Sequence, residues 1–378
     1  MFRFQELIAP VSPGTFARRF WGRRVLHVPG PRARDVVTAE DIDGLLSRLK
    51  AGETAFVSSA ENGTRPAASV VDRPLGHHDR IPPARLYAAL RQGESIKLNF
   101  VEHRLPRVAA AVRAIEDFTQ QPLNDATIFV TPPGGAALPH HFDDEHTFTI
   151  QLAGEKTWSF HRPARAGEPT PMPRSKAGRV LRSVRLRPGD VLYVPPRVIH
   201  AARSTRALSL SVGVGIRGLD VRDLLLGWLR RTIEALPREP LPCRWFDDRR
   251  RLKRELERSL ERLAGAAGRS LDRALDDIHG RQLRNRQALR EGALARAFAE
   301  GGRFVRPPEV ECHVHRDRDG CVLSFPGAEP FRAPRSAWTA LRFVAGRSTP
   351  FAPSELPGRG PRGLLESLVA LGVLHRVP

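Results

Sequence analysis

In the stretch from His141 to Leu152, the side chains of His141, Asp143, Thr147, Thr149 and Gln151 share one parity, whereas Phe142, Phe148, Ile150 and Leu152 share the other. Successive residues of a β-strand point to opposite faces, so this pattern commits the segment to a sheet with one polar and one apolar side. His141 and Asp143 then emerge on the same side and can grip one ion, while Phe142 turns toward packing. His140 faces the wrong way. Gly154-Glu155 reads as a tight turn, and Lys156 to Phe160 resume the alternation as a returning strand that sets Lys156 beside the strand of His141.

A second segment completes the set. Pro188-Gly189-Asp190 is a turn signal, Val191 to Val194 is a short apolar strand, and His200 follows Pro195-Pro196 in an extended stretch that leads to Ser209, Ser211 and Gly213. Thirteen histidines occur in the chain, and a single one is more often a surface or core residue than a ligand. The joint occurrence of His-x-Asp on an alternating strand, a turn-bounded strand with a histidine after it, and a lysine between them favours a metal site. Two neutral imidazoles and one carboxylate cap one face of an octahedral ion and leave the opposite face open, which is the ligand set of a non-haem iron(II) oxygenase. The expected metal ligands are His141, Asp143 and His200.

These residues resemble the JmjC-type, cupin-fold 2-oxoglutarate oxygenases, and within them the ribosomal-protein hydroxylases. The resemblance is carried by Thr131-Pro132-Pro133-Gly134-Gly135, His141-Phe142-Asp143, Phe148 to Trp158, and Arg187 to Pro195 with His200. Leu7-Ile8-Ala9-Pro10 and Phe20 to Gly30 also look like the entry to such domains. It implies an α+β fold: a double-stranded β-helix (jelly-roll or cupin) barrel with N-terminal helices, then a helical dimerisation region and a winged-helix-like C-terminal domain. It also implies iron(II) at His141, Asp143 and His200, with 2-oxoglutarate as cosubstrate. Lys156 matches the basic residue that pairs with the far carboxylate of 2-oxoglutarate. That agrees with physics, since a dicarboxylate buried in a barrel needs a cationic partner. Thr147 stands where relatives carry a polar group near the cosubstrate, although Thr147 and Thr149 are equally read as good strand formers. Here Ala136 to His140 intervene before the motif, where relatives have a Gly-x-Gly-Pro-type lead.

The expected divisions are a catalytic domain over 1–218, a helical region over 219–300 and a C-terminal domain over 301–378. Ala39–Lys50, Pro83–Gln92 and Pro106–Phe118 read as helices and Ser95–Phe100 as a strand, packed around the barrel. Pro163–Ala177 is a loop placed to cover the site. Val221, Leu224, Leu225, Trp228 and Leu229 recur at helical spacing, as do Leu252, Leu256, Leu260 and Leu263, and such stripes need a partner face. That partner is a second copy if the resemblance holds, or the chain's own barrel. Cys312-His313-Val314-His315 suggests zinc, but Asp317-Arg318-Asp319-Gly320 is a hairpin turn between alternating runs, and a plain hairpin explains it better. His140, Asp144, Glu145 and His146 read as a polar loop at the barrel mouth, near enough to orient ligands or touch substrate.

The formal charge is +20. Only Lys50, Lys97, Lys156, Lys176 and Lys253 are lysines, so the cations are almost all arginine, as in GC-rich bacterial coding. Such bias does not create an excess of cations over anions, and an RNA or acidic partner stays open. No run of eighteen apolar residues occurs, Arg18, Arg19, Arg23 and Arg24 interrupt any leader, and three cysteines make no disulfide framework. The expectation is a cytoplasmic protein with no membrane partner. The leading functional expectation is hydroxylation of a side chain in a protein or peptide, a ribosomal protein first. The alternatives are a hydroxylase tailoring a biosynthetic peptide or small molecule, a cupin isomerase or metal-only dioxygenase, and a non-catalytic nucleic-acid-binding regulator.

Overall fold

The computed structural model describes residues 3–30, 36–234, 238, 248–286, 299–358 and 363–378. They fall into two compact units, Met1–Gly218 and Leu219–Pro378. In the first, α1 (Phe4–Ile8) and α2 (Pro13–Arg19) precede β1 (Leu26–Val28), α3 (Ala39–Arg48), β2 (Ala55–Ser59), β3 (Gly63–Pro66), α4 (Pro83–Arg91), β4 (Ser95–Leu98) and α5 (Pro106–Thr119). Strands β5 (Leu123–Thr131), β6 (His146–Ala153) and β7 (Lys156–Pro163) follow. A short helix, α6 (Arg174–Ala177), then leads to β8 (Arg182–Leu186), β9 (Val191–Val194), β10 (Val198–Ser204) and β11 (Ser209–Ile216).

The strands form an eight-stranded sheet, ordered β1-β9-β6-β11-β5-β4-β2-β3, and a three-stranded sheet, β10-β7-β8, with every pairing antiparallel. The apolar parity of β6 and β11 packs against the N-terminal helices, where Phe16, Phe148 and Tyr193 are fully buried. Burying a side chain of that size contributes roughly 1.5–3 kcal/mol. The helices start where capping chemistry allows. Thr38 and Asp41 exchange hydrogen bonds at the head of α3, whose Ile42, Leu45 and Leu46 make the buried stripe. Pro106 opens α5 at a position with no hydrogen bond to lose.

Three expectations about placement are corrected. Lys156 does not lie beside the strand that follows His141, because β7 pairs with β10 and β8 and belongs to the other sheet. Gly154 makes the crossing possible. Its φ is +62°, and a Cβ there would sit 2.1 Å from the carbonyl oxygen of Leu208, so only glycine lets the chain turn away so sharply. His200 is not in a stretch continuous with Ser209. It lies within its own strand, β10, in the smaller sheet. The N-terminal segment is also more than a coat around the barrel, since β2, β3 and β4 extend the large sheet beyond β5 and β1 closes its other edge.

In the second unit α7 (Val221–Glu234) packs with the 37-residue α8 (Arg249–Asn285). Next come β12 (Arg303–Val305), the hairpin of β13 (His313–Arg316) and β14 (Cys321–Ser324), β15 (Phe331–Ala333), α9 (Trp338–Gly346), α10 (Leu364–Ala370) and β16 (His375–Val377). β12 pairs with β16, and β13-β14-β15 form a sheet. The Cys312–His315 segment is a hairpin strand. His313 and His315 face Asp276 and Asp277 at 3.0 and 3.8 Å, and burial pushes the Cys312 thiol up to about 12, far from the thiolate a zinc ion requires. Cys243 and the end of the expected helix after Glu234 lie outside the described residues.

A polar cluster helps tie the N-terminus to the barrel. Trp21 stacks on His146 at 3.6 Å between ring centres, the Gly22 N–H donates to the Tyr193 hydroxyl at 2.8 Å, and that hydroxyl meets His146 Nδ1 at 2.7 Å. Burial lowers His146 to about 4, so its ring is neutral and accepts the Tyr193 proton. Tyr193→Phe leaves a buried N–H and a ring nitrogen without partners and should cost about 1–3 kcal/mol in urea unfolding. An unchanged midpoint would show that the cluster contributes nothing.

Candidate metal centre

A cavity of about 180 Å³ opens between the two sheets. The odd-numbered residues of β5 and β6 (Asp125, Thr127, Phe129, Thr147, Thr149), with Ser211, Gly213 and Gly215 of β11, make one wall. Lys156 and Trp158 of β7 and His200 and Ala202 of β10 make the other. His141 and Asp143 reach the cavity from an extended segment just before β6, and Glu145 follows them with the same parity. Gln151, although in phase, is fully buried and donates to Ser209 Oγ and the carbonyls of Ala153 and Gly154.

His141 and His200 form an isolated antiparallel bridge, each N–H donating to the other's carbonyl at 3.0 and 2.8 Å. The Nδ1 of His141 bonds the carbonyl of Pro139 at 2.8 Å, and the Nδ1 of His200 bonds that of Val198 at 2.9 Å. A carbonyl only accepts, so each Nδ1 carries the proton and each Nε2 keeps its lone pair. Both Nε2 atoms face Asp143, at 3.9 Å from Oδ1 and 3.7 Å from Oδ2, and one ligand atom from each of the three residues lies within 4.8 Å of the others. Among the described residues this is the one such group. Burial and the neighbouring His141, opposed by Asp143, lower His200 to about 4 and keep it neutral. Two imidazoles and a carboxylate, with their ligand atoms converging, can hold a divalent transition metal.

The ligand-bearing segment is clamped from outside the cavity. Arg197 has φ +63° and sits in the turn between β9 and β10. Its N–H donates to the Asp143 carbonyl at 2.7 Å, its guanidinium donates to Asp144 and to the Arg165 carbonyl, and it lies over the Phe142 ring at 4.6 Å. Thr170 bonds both backbone groups of Phe142, and the Met172 N–H donates to the His140 carbonyl, so the 164–181 insertion is stitched to this segment. His140 points away from Asp143 and packs against His161. Sequence reasoning did not single out Arg197, because nothing local marks a left-handed arginine.

Lys156 is 4% exposed, and its Nζ lies 3.3 Å from Thr131 Oγ1, 3.2 Å from Ser211 Oγ and 5.5 Å from the Phe129 ring centre. No carboxylate pairs with it among the described residues. Burial lowers it to about 8. Thr147 lines the same cavity but stands opposite Gly215, four residues along β11 from Ser211. At that far end lie Asp125, Glu145, Lys97 and Asn99. Burial, with Asp143 and Asp125 nearby, pushes Glu145 up to about 7, while burial lowers Lys97 against the pull of Asp125 and Asp143.

Residues 105–224 match the family described as a JmjC domain. The chain is 30% identical over 214 residues to ribosomal oxygenase 1 of Gallus gallus, covering 53% of this chain and 34% of that protein. It is 37% identical over 229 residues to ribosomal oxygenase 2 of Bos taurus, covering 56% and 46%. A protein of Drosophila pseudoobscura pseudoobscura described as a bifunctional lysine-specific demethylase and histidyl-hydroxylase is 26% identical over 210 residues, covering 52% and 21%. The chain thus spans less than half the length of these relatives. Among solved structures, Escherichia coli YcfD matches with a TM-score of 0.55 at 18% identity over 97% of this chain and 98% of that one. A structure of the same protein described as a ribosomal oxygenase in complex with cobalt and 2-oxoglutarate matches with 0.51 at 18% over 96% of each chain. At that identity the likeness establishes the fold: cupin-like, with helices added to antiparallel sheets. The chain resembles JmjC ribosomal oxygenases.

An ammonium buried without an anion destabilises the ligand-free protein. Lys156 titrates near 8 when folded and near 10.4 when unfolded, so below pH 8 the folded state carries the full cost, about 3 kcal/mol, and the cost disappears as pH rises from about 8 to 10.5. Lys156→Met should therefore stabilise the metal-free chain at pH 7 by up to about 3 kcal/mol. Its advantage should shrink toward pH 10 in chemical denaturation. A destabilised variant at pH 7 would show that the ammonium is already satisfied.

Proposed function

We propose that this chain is an iron(II)- and 2-oxoglutarate-dependent oxygenase that hydroxylates a side chain of a protein, and that the protein is ribosomal. One observation carries the reading: His141, Asp143 and His200 converge at one end of a protonated, ionically unpaired lysine's own cavity. In this reading the three residues bind iron(II), and Lys156, with Thr131 and Ser211, binds the far carboxylate of 2-oxoglutarate. Thr147, distant from Lys156, borders the reacting end. When bound, iron(II) and 2-oxoglutarate supply the oxidising chemistry, with dioxygen as oxidant and succinate and carbon dioxide as by-products.

The chain's own residues account for the rest. The Pro139 and Val198 carbonyls hold both imidazoles in the tautomer that binds metal, and the bridge fixes their separation. Trp158 and Phe129 keep water from the carboxylate pocket, where an ion pair with Lys156 gains strength from the low dielectric. The resemblance to ribosomal oxygenases, and to the E. coli ribosomal oxygenase in complex with cobalt and 2-oxoglutarate, supports the cosubstrate and the substrate class.

The finer organisation belongs to the same proposal. The second unit supplies a helical dimerisation region over 219–300 and a winged-helix-like domain over 301–378. Exposed Val221, Leu225, Leu226 and Ile233 on α7 and Leu256 and Leu260 on α8 support self-association, and the strand, hairpin and helix order supports the winged-helix reading. A ribosomal substrate places the protein in the cytoplasm. No described helix is long and apolar enough to cross a membrane.

Asp143→Ala should weaken cobalt(II) binding by more than about a hundredfold and abolish succinate formation. Lys156→Ala should leave cobalt(II) binding intact and raise the half-saturating 2-oxoglutarate concentration by about thirtyfold or more. Intact-mass comparison of ribosomal proteins from wild-type and deletion cells should reveal one that loses a single oxygen atom. Succinate formation unchanged in Asp143→Ala would refute the reading.

A further inference from the structure

A second pair of histidines faces away from the catalytic cavity. His140 precedes the ligand His141 and turns to the opposite side, and His161 shares the outer face of β7 with Thr157 and Ser159, whereas Lys156 and Trp158 face inward. The two rings meet edge to face with their centres 5.1 Å apart. The Nε2 atom of each is buried and has no hydrogen-bond partner among the described residues. His161 is 3% exposed, and its Nδ1 bonds the carbonyls of Gly178 and Arg179 at 2.9 and 3.1 Å, so the proton sits on Nδ1 and Nε2 keeps its lone pair. His141 and His200 are held by carbonyls in the same way.

A soft donor lies alongside. Met172 is 4% exposed and stands opposite His140 in an antiparallel bridge, its N–H donating to the His140 carbonyl at 2.8 Å. Residues opposed in this way project their side chains to one side, with Cβ atoms about 4.5–5.5 Å apart. Met172 and His140 both line a second cavity, of about 570 Å³, on the outer face of the small sheet. The charged residues described on its wall are Glu61, Arg174 and Arg203, a formal sum of one positive charge. Such a wall opposes a dication more than a monovalent ion, and a thioether beside imidazoles is a donor set that selects copper(I).

The ring spacing agrees with that choice. With nitrogen–metal distances of about 2 Å, ring centres 5.1 Å apart subtend about 105° at a shared ion, whereas the 4.3 Å between His141 and His200 subtends about 85°. The narrow angle suits an octahedral ion, and the wide one an ion with three or four ligands. Two buried ring nitrogens without partners are costly, and an ion between them removes the cost.

We infer that His140 and His161, with the Met172 thioether, form a second metal site that takes copper(I). It is independent of the function proposed above. His140 adjoins a ligand of the triad and Met172 belongs to the 164–181 insertion, so a bound ion fastens the insertion to the ligand-bearing segment.

The test uses the full chain under argon with ascorbate and one equivalent of copper(I), in competition with bicinchoninate. The wild-type chain should hold the ion against the chelator, and X-ray absorption should show nitrogen neighbours and one sulfur. His161→Gln should weaken copper(I) binding at least about a hundredfold, and Met172→Leu should weaken it about tenfold and remove the sulfur neighbour. Asp143→Ala should leave it unchanged, which separates this site from the triad. Should His161→Gln unfold, His140→Gln is expected to show the same loss. Equal copper(I) binding in the wild-type chain and the histidine variants would place the ion on the triad or a cysteine and overturn the inference. No binding against the chelator, or a sulfur neighbour that survives Met172→Leu, would overturn it as well.

Discussion

The reciprocal backbone pair between His141 and His200 is the constraint on which the centre depends. It is the seam between two sheets, since His141 leads into β6 of the large sheet and His200 belongs to β10 of the small one. Main-chain hydrogen bonds set the spacing of the two imidazoles, and two more carbonyls set their tautomers. The ligand side chains therefore owe their directions to the backbone and not to one another, so three groups with opposing preferences for burial can be held together before an ion is bound. Arg197 belongs to the same device. Its left-handed backbone costs about 1–2 kcal/mol, offset by the bonds it makes to Asp143, Asp144 and Arg165 and by its contact with Phe142.

The cavity's polarity follows from strand parity acting on two sheets at once. Every second residue of β5, β6 and β11 faces inward, so a single register slip would send the whole set into the core. Within that set, position along the strand decides chemistry. Thr131, Ser211 and Lys156 gather at one end, while Asp125 and Glu145 gather at the other. Both ends bury charge without an internal counter-ion of matching strength. In the ligand-free state that arrangement opposes folding, and the large apolar core under the helices offsets it.

Much of the centre was legible because its information is local. Alternation placed His141, Asp143, Thr147 and Thr149 on one face, the turn signals at Gly154 and at Pro188 to Asp190 are real turns, and the three N-terminal helices and the strand at Ser95 lie where their patterns put them. What alternation does not encode is the partner of a strand. Whether β7 folds back on β6 or crosses to β10 depends on a glycine whose Cβ would strike Leu208, a contact fifty-four positions away that no local pattern displays. For the same reason β2 to β4 read as a coat and prove to be sheet, Asp125 and Asn99 went unremarked, and Glu145 read only as part of a polar loop at the barrel mouth, since their surroundings are set by what faces them. Thr147 was placed correctly on the cavity, yet its distance from Lys156 becomes visible only with the register of β11.

The arginine excess shows how little composition decides when geometry is absent. A formal charge of +20 suggests a polyanionic partner. In the structure, however, many arginines serve as hydrogen-bond donors to the chain itself. Arg162 pairs with Glu168, Arg203 donates to the Gly134 carbonyl, Arg306 to the carbonyls of Val310 and Val344, and Arg376 to Glu366 and the Gly301 carbonyl. A planar fork with five donors suits loops rich in proline, which supply carbonyls without matching N–H groups. An arginine occupied in this way keeps its charge but spends its directional bonds internally. Net charge therefore bears on the long-range field around the molecule and says little about which surface would grip a phosphate. The charges that line the cavity are few, and among them Lys156 and Glu145 are in no ion pair with another described residue.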